Sequence, residues 1–384
     1  MRTVQNQKEL KLNNLTKILD FLKKNDVVVK STLARELGLS VVTISKICDD
    51  LADAGIVEYT TERESTGGRK PLGIRLVRDS RYIIALDLSE KEQAYTGILD
   101  LNYREIAGTR FEIPGTWGIS DFLTALQSHL EPLRRDIPEE KIMGMCVSIP
   151  AIFNPGNGII EECNNPLFIN QNMIQRISTV FPGKIIMEND ANLAALGHFH
   201  QNRVENLLYI HFTEGIGLGI ILNGEIYRGH AGYAGELAYM GVPDFEGNWC
   251  TVEKALSEQY LVRCLESLTG RPEGTLSPED FEKEIIRESG EIVPITDYIK
   301  TTIGRVTAVL IDLFNPEQVI LGGRNFVNFK SFLPEIIGAA QEYSMTSKRI
   351  AVEIKEASDD QNLVIKGCCE RFYQDWIRTA PIIT

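Results

Sequence analysis

The sequence predicts an α/β protein with a small helical head and a larger body of two α/β halves. Two patterns in the chain point to this. Between residues 10 and 55, three helical segments follow one another with a glycine turn before the third, while beyond residue 80 apolar strand-like runs alternate with amphipathic helices. Charge follows the same division: the net charge is −13, yet residues 1–80 sum to +3 and the remainder to −16. A mildly basic head on an acidic body is expected where only the head approaches a polyanion. At 384 residues and 43% hydrophobic, the chain is long enough for two or three domains with a substantial core.

In the head, Leu12, Leu15, Ile18, Leu19 and Leu22 recur at three- and four-residue steps and form one apolar face of a first helix, from Leu10 to Lys24. A second helix over Lys30 to Leu37 stops at Gly38, and Ser40 is placed to cap a third that runs to about Ala54. Ile44, Ile47, Cys48 and Leu51 turn inward on that third helix. Val41, Thr43, Ser45 and Lys46 are thereby left outward near its amino end, the part of a recognition helix that enters the major groove. Two strand-like runs, Ile56 to Thr60 and Leu72 to Val77, flank a polar loop with Gly67, Gly68, Arg69 and Lys70, which reads as a basic wing. Winged helices also serve protein contacts, so the arrangement alone leaves both uses open.

In the body, strands are expected at Tyr82 to Leu88, Ala94 to Leu101, Glu105 to Ile113 and Lys141 to Pro150, with a helix over Asp121 to Leu133. The second half repeats the scheme. Strands at Leu207 to His211 and Leu218 to Leu222 precede an Asn223-Gly224 hairpin turn, and helices over roughly 251–268 and 296–314 lead to a strand at Gln318 to Leu321. Residues 266–293 are polar and read as a surface insertion. The crevice between two such halves is a natural ligand site.

No apolar run approaches a membrane span and no signal peptide opens the chain, so a soluble, cytoplasmic protein is expected. Seven cysteines form no Cys-x-x-Cys pair, and the vicinal Cys368 and Cys369 sit in an apolar helical segment, as packed residues do. Neither zinc nor a disulfide framework is indicated.

One stretch concentrates polar groups between apolar runs. Ile185 to Gly197 reads IIMENDANLAALG, so Glu188, Asn189 and Asp190 lie where a strand turns into a helix, at the carboxyl edge of a sheet. The same Asn-Asp pair can cap the helix by accepting from its first backbone donors.

Together with Gly215-Ile216-Gly217, Gly219, the run Gly229 to Glu236 (GHAGYAGE) and Gly322-Gly323, the Glu188-Asn189-Asp190-Ala191-Asn192 segment resembles the ROK family of sugar kinases and sugar-responsive repressors. The resemblance spans nearly the whole chain. It implies an amino-terminal winged helix-turn-helix followed by a two-lobed actin-like (RNase H-like) ATPase fold. The expected divisions are 1–78 for the winged helix DNA-binding domain, 79–199 for the first ROK α/β lobe and 200–384 for the second. Only the repressor branch normally carries such a head. The family also implies a sugar held by Asn189, Asp190 and Glu236; Tyr239 stands where relatives often have a histidine, and Glu253 where some have a second sugar-contacting glutamate. Carboxylates accept from adjacent hydroxyls while the Asn amide both donates and accepts, which suits a polyol.

Asp190 is the counterpart of the kinase base, but the phosphate grips differ. Where the family has Asp followed by Gly-Gly-Thr, this chain has Asp87-Leu88-Ser89-Glu90-Lys91, and where it has Gly-Thr-Gly, this chain has Thr213-Glu214-Gly215. A carboxylate at Glu214 repels ATP, and phosphoryl transfer depends on charge neutralisation. The histidine and cysteine cluster that holds zinc in many relatives is reduced to Tyr239 and Cys250.

The sequence therefore predicts a sugar-responsive transcriptional regulator, a repressor, that binds operator DNA through the winged helix and a free sugar in the interlobe cleft. No catalytic residue, metal or cofactor is assigned, no membrane is involved, and the protein is expected as a homodimer or higher homo-oligomer. The alternative is an ATP-dependent sugar kinase with an accessory DNA-binding domain.

Overall fold

The computed structural model describes residues 2–61, 72–153, 157–287, 290–358 and 363–379. Arg69 and Lys70 lie outside these described residues. The amino-terminal segment contains α1 (Arg2–Lys24), β1 (Val28–Val29), α2 (Lys30–Leu37), α3 (Val41–Asp53), β2 (Val57–Thr60) and β3 (Gly73–Leu76). The leucine stripe of α1 is buried at Leu15, Ile18, Leu19 and Leu22, as are Leu33, Ile44, Ile47, Cys48, Leu51, Ile56 and Ile74, and α1 packs against α2 and β3. α2 ends at Gly38, whose φ of 64° is the left-handed turn that glycine takes without a Cβ penalty. The Ser40 hydroxyl accepts from the Thr43 amide at 3.1 Å and starts α3. The strands pair antiparallel in the order β1-β3-β2.

The chain continues through β4 (Tyr82–Asp87), β5 (Gln93–Asp100), β6 (Glu105–Glu112), α4 (Ile119–Arg134), β7 (Ile142–Ile149), β8 (Ala151–Phe153), β9 (Ile160–Cys163), α5 (Met173–Ile177) and β10 (Ile185–Asn189). Five of these strands form a sheet in the order β10-β7-β4-β5-β6, in which β4 runs antiparallel to β5 and parallel to β7. Then follow α6 (Asp190–Asn202), β11 (Leu207–Phe212), β12 (Ile216–Leu222), β13 (Glu225–Ile226), β14 (Gly241–Pro243), β15 (Trp249–Thr251), α7 (Val252–Leu256) and α8 (Glu258–Thr269). The last elements are α9 (Pro278–Arg287), α10 (Val293–Phe314), β16 (Gln318–Gly322), α11 (Leu333–Tyr343), β17 (Glu353–Glu356) and α12 (Leu363–Thr379).

A second five-stranded sheet has the order β13-β12-β11-β16-β17, with β11 antiparallel to β12 and parallel to β16. Side chains alternate across it as a pleated strand requires. Leu208, Ile210, Val319 and Leu321 enter one core with Ile299, Ile303 and Ile336 of α10 and α11, while Leu207, Tyr209 and Ile320 enter another with Leu196 and Phe199 of α6. By contact density the chain divides into two compact units, Met1–Ser148 with Met173–Met187 and Cys368–Thr384, and Ile149–Asn172 with Glu188–Gly367.

Two sequence expectations need correction. Residues 266–293 are no mere surface insertion: α9 lies there, and its Phe281 and Ile285 are buried in the core of the second sheet. Glu266, also buried, accepts from the amides of Gly274, Thr275 and Leu276 and so folds the polar approach to α9. The helix expected over 251–268 is two, because Ser257 takes an extended conformation between α7 and α8.

Candidate functional site

All of the residues read as sugar contacts, Asn189, Asp190, Glu236, Tyr239 and Glu253, belong to the second unit. Their backbone positions are set by two close approaches. A Cβ at Gly219 of β12 would lie 2.2 Å from the Ala191 carbonyl oxygen, so only glycine lets this strand pass the first turn of α6. Gly235 has φ of 98°, and a Cβ there would meet the Leu218 carbonyl oxygen at 2.2 Å. The loop carrying Glu236 is thereby pressed against the same strand.

Asn189 is the N-cap of α6, its side-chain oxygen accepting from the amides of Ala191 at 2.9 Å and Asn192 at 3.4 Å. Its amide nitrogen faces the Ala151 carbonyl at 3.5 Å. Capping is thus a real role of this residue, and the amide group remains oriented at the strand end. Glu188, buried, accepts from Asn192 Nδ2 at 3.0 Å and from the Asn189 amide at 3.2 Å. Its other oxygen receives both Arg228 Nε, at 3.1 Å, and Nη2, a two-pronged charge-assisted pair that joins the start of α6 to the loop leading to Glu236.

Asp190 is 4% exposed and accepts from the Ala191 amide at 2.9 Å. His211 of β11 approaches its other oxygen at 3.7 Å. Burial lowers the His211 pKa to about 4, so the ring is neutral near pH 7 and this approach is a dipolar contact, not an ion pair. Glu236 is half-buried and its carboxylate has no hydrogen-bond partner among the described residues; burial and then the nearby Glu162 carboxylate raise its pKa. Tyr239 is exposed, and its hydroxyl donates to Glu162 of β9. Tyr233 donates in the same way to the adjacent Glu161 at 2.9 Å. Glu253 stands exposed in the first turn of α7, its carboxylate over Gly215, where a Cβ would lie 2.9 Å from Oε2. Tyr239 thus lies close to the carboxylates of Glu162, Glu236 and Glu253, groups able to accept from hydroxyls beside a hydroxyl that can donate.

Glu214 faces Arg324 at 3.5 Å and accepts from Asn164 Nδ2 at 3.4 Å, so this carboxylate is held by a guanidinium. In the first unit, Asp87 is half-buried and accepts from the amide and hydroxyl of Ser89, an Asx turn that occupies the acid with its own chain. Among the described residues no group of three or more His, Cys, Asp or Glu is arranged to hold a metal ion. Sequence reading missed Glu161, Glu162, Arg228 and His211, which are brought in by strand pairing and not by any local motif.

On α3, Val41 is 51% exposed and Lys46 is exposed, as the helical wheel requires. Thr43 is half-buried and its hydroxyl lies 2.9 Å from Ser40 Oγ, while Ser45 is half-buried. Val42, which the sequence reading passed over, is the more prominent outward residue at 79% exposure.

The profile of the ROK family matches residues 98–370. The chain is 23% identical to the xylose repressor of Caldicellulosiruptor bescii, covering 96% of this chain and 97% of that protein. It is 21% identical to the DNA-binding transcriptional dual regulator NagC of Escherichia coli, covering 87% and 86%. The crystal structure of a ROK family transcriptional regulator, described as a homolog of the E. coli MLC protein, superposes with a TM-score of 0.77 at 20% identity, over 97% of this chain and 99% of that one. That likeness is one of fold. With the family profile spanning most of the length and both glycine approaches placing its motifs on one strand, the chain belongs to the ROK family.

Proposed function

We propose that this chain is a sugar-responsive transcriptional repressor whose amino-terminal segment is a winged helix-turn-helix. In this reading α3 enters the major groove of operator DNA, with Val41, Val42 and Lys46 outward, Thr43 and Ser45 at its edge, and Arg69 and Lys70 on the wing. A free sugar binds in the second unit, where Asp190 and Glu236 accept from its hydroxyls, the Asn189 amide donates, and Tyr239 and Glu253 flank it. The names of the relatives, a xylose repressor and the transcriptional regulator NagC, support the repressor reading.

The observation that supports the reading is the pairing of Glu214 with Arg324, since in this reading Glu214 lies on the phosphate side of a polyol site. Asp190 is retained as a hydroxyl acceptor, whereas Glu214 puts a carboxylate, paired with Arg324, where a phosphate would need donors. Sugar phosphorylation is accordingly not part of the proposed function, and a coupled assay of ADP release across a sugar panel is expected to read background. The protein acts as a homodimer that presents two heads to a two-fold operator, which light scattering of the free chain tests.

The primary test is a thermal-shift screen of pentoses, hexoses and amino sugars, because a ligand that binds only the folded state raises the melting temperature. The active sugar is then expected to weaken binding to a duplex selected by this chain from a random library. Asp190→Ala is expected to abolish the sugar shift and leave sugar-free DNA affinity unchanged. A sugar response that survives Asp190→Ala would remove this site from the reading.

A further inference from the structure

Inside the first unit, the end of α1 is joined to the β5–β6 turn and to α12 by a half-buried, directional contact that no part of the proposed site uses. Lys23 Nζ donates to the Tyr103 hydroxyl at 3.0 Å and sits 3.3 Å from the centroid of the Tyr373 ring and 4.3 Å from that of Tyr103. The Tyr103 hydroxyl in turn donates to Glu370 Oε2 at 2.8 Å, and Gln374 donates to Oε1 at 3.2 Å. Glu370 is 1% exposed, so its carboxylate is compensated through the tyrosine and the ammonium beyond it.

The turn that presents Tyr103 is costly. Tyr103 has φ of 62°, a left-handed conformation that a bulky side chain rarely adopts. Asp100 holds it there by accepting from the amides of Asn102 at 2.8 Å and Arg104 at 3.0 Å. An apolar seam would attach α1 without strain or a buried carboxylate, but it would tolerate sliding and rotation. A cation stacked on two rings and hydrogen bonded to one of them fixes an angle. Alongside it Arg81 Nη2 donates to the Ala54 carbonyl, at the end of α3, at 3.2 Å.

We infer that Lys23, Tyr103 and Glu370, with Tyr373 as the second ring, form a coupling clasp that makes the helical head turn with the body, so that the sugar's effect on DNA binding passes through it. This rests on the sugar-responsive reading above. The clasp residues are positioning residues, since they touch neither DNA nor sugar in that reading.

The test uses the full chain, a duplex selected from a random library, and xylose, glucose and N-acetylglucosamine as probes. The quantity read is the ratio of DNA dissociation constants with and without saturating sugar, a factor of about ten or more for a typical allosteric coupling. Lys23→Met, which keeps the aliphatic stem and removes the charge, is expected to bring that ratio to within about twofold of one, a near-complete loss of coupling. Sugar affinity measured without DNA is expected to stay unchanged. Tyr103→Phe, which keeps the ring, is expected to lower the ratio partway and decides the matter if Lys23→Met fails to fold by circular dichroism. A clasp that serves only attachment would lower DNA affinity equally with and without sugar, and an unchanged ratio in the folded variants overturns the inference alone. A wild-type ratio of one for every probe overturns the sugar-responsive reading, and this inference with it.

Discussion

Asp190 and His211 show how one buried pair is tuned by its surroundings. The carboxylate keeps a helix-start amide, and the imidazole beside it is kept neutral by burial, with its pKa lowered to about 4 from an ordinary 6.5. Because the folded value lies below the unfolded one, the full stability is present above pH 6.5 and is lost as pH falls toward 4. The loss comes from protonation of the unfolded chain, which the folded chain resists, and the 2.5-unit gap is worth about 3 kcal/mol. Urea denaturation at pH 7 and pH 4 is therefore expected to show the parent losing about 3 kcal/mol relative to His211→Leu. Equal pH dependence in the two chains would mean the ring is protonated when folded. At this scale the sequence was legible in part. Asp190 stood out because it lies between a strand and a helix, whereas His211 read as one more residue of an apolar strand.

At the scale of elements, α6 is the part around which the site is assembled. Its cap by Asn189 follows from local chemistry, as do the Ser40 cap of α3, the Gly38 stop of α2 and the Asn223-Gly224 turn, where both residues have positive φ. Each of these is decided within four residues, so the sequence displays it directly. The Glu188–Arg228 pair is not of that kind, for its partners are 40 residues apart and meet only once the strands have paired. The same holds for Glu161 and Glu162, whose tyrosine partners lie 72 and 77 residues away. The split between α7 and α8 was missed because the apolar period continues through Ser257, and α9 because its two core residues are spaced among charges. Removing Arg228 takes the guanidinium away from a buried carboxylate that keeps its donors Asn192 Nδ2 and the Asn189 amide. Arg228→Met is expected to destabilise the chain by about 2 kcal/mol in chemical denaturation. Adding Glu188→Gln to it is expected to recover a good part of the loss; a double variant no more stable than the single would show that the pair's worth lies in packing.

For the whole molecule, charge is distributed with a purpose. The +3 of residues 1–80 against −16 elsewhere means that a polyanion is attracted to that segment and repelled by the rest, which orients the encounter. Lys46 is exposed on α3, the helix proposed to enter the groove. Lys46→Ala is expected to weaken DNA binding and to reduce the slope of log affinity against log salt by about 0.9, the contribution of one phosphate contact. An unchanged salt slope would place Lys46 away from the backbone.

The approach of Gly235 to Leu218 also bears on how such a protein can change over evolutionary time. With φ of 98° and a carbonyl oxygen 2.2 Å from any added Cβ, the backbone beside Glu236 cannot drift by single substitutions without displacing β12. If the proposed sugar site is right, divergence in what it accepts is channelled into side chains that stand on that fixed frame, such as Tyr233 and Tyr239 with their glutamate partners on β9. New ligand preferences would then arise by exchanging those rings and acids while the glycine stays, so a lineage can change its inducer without redesigning its fold.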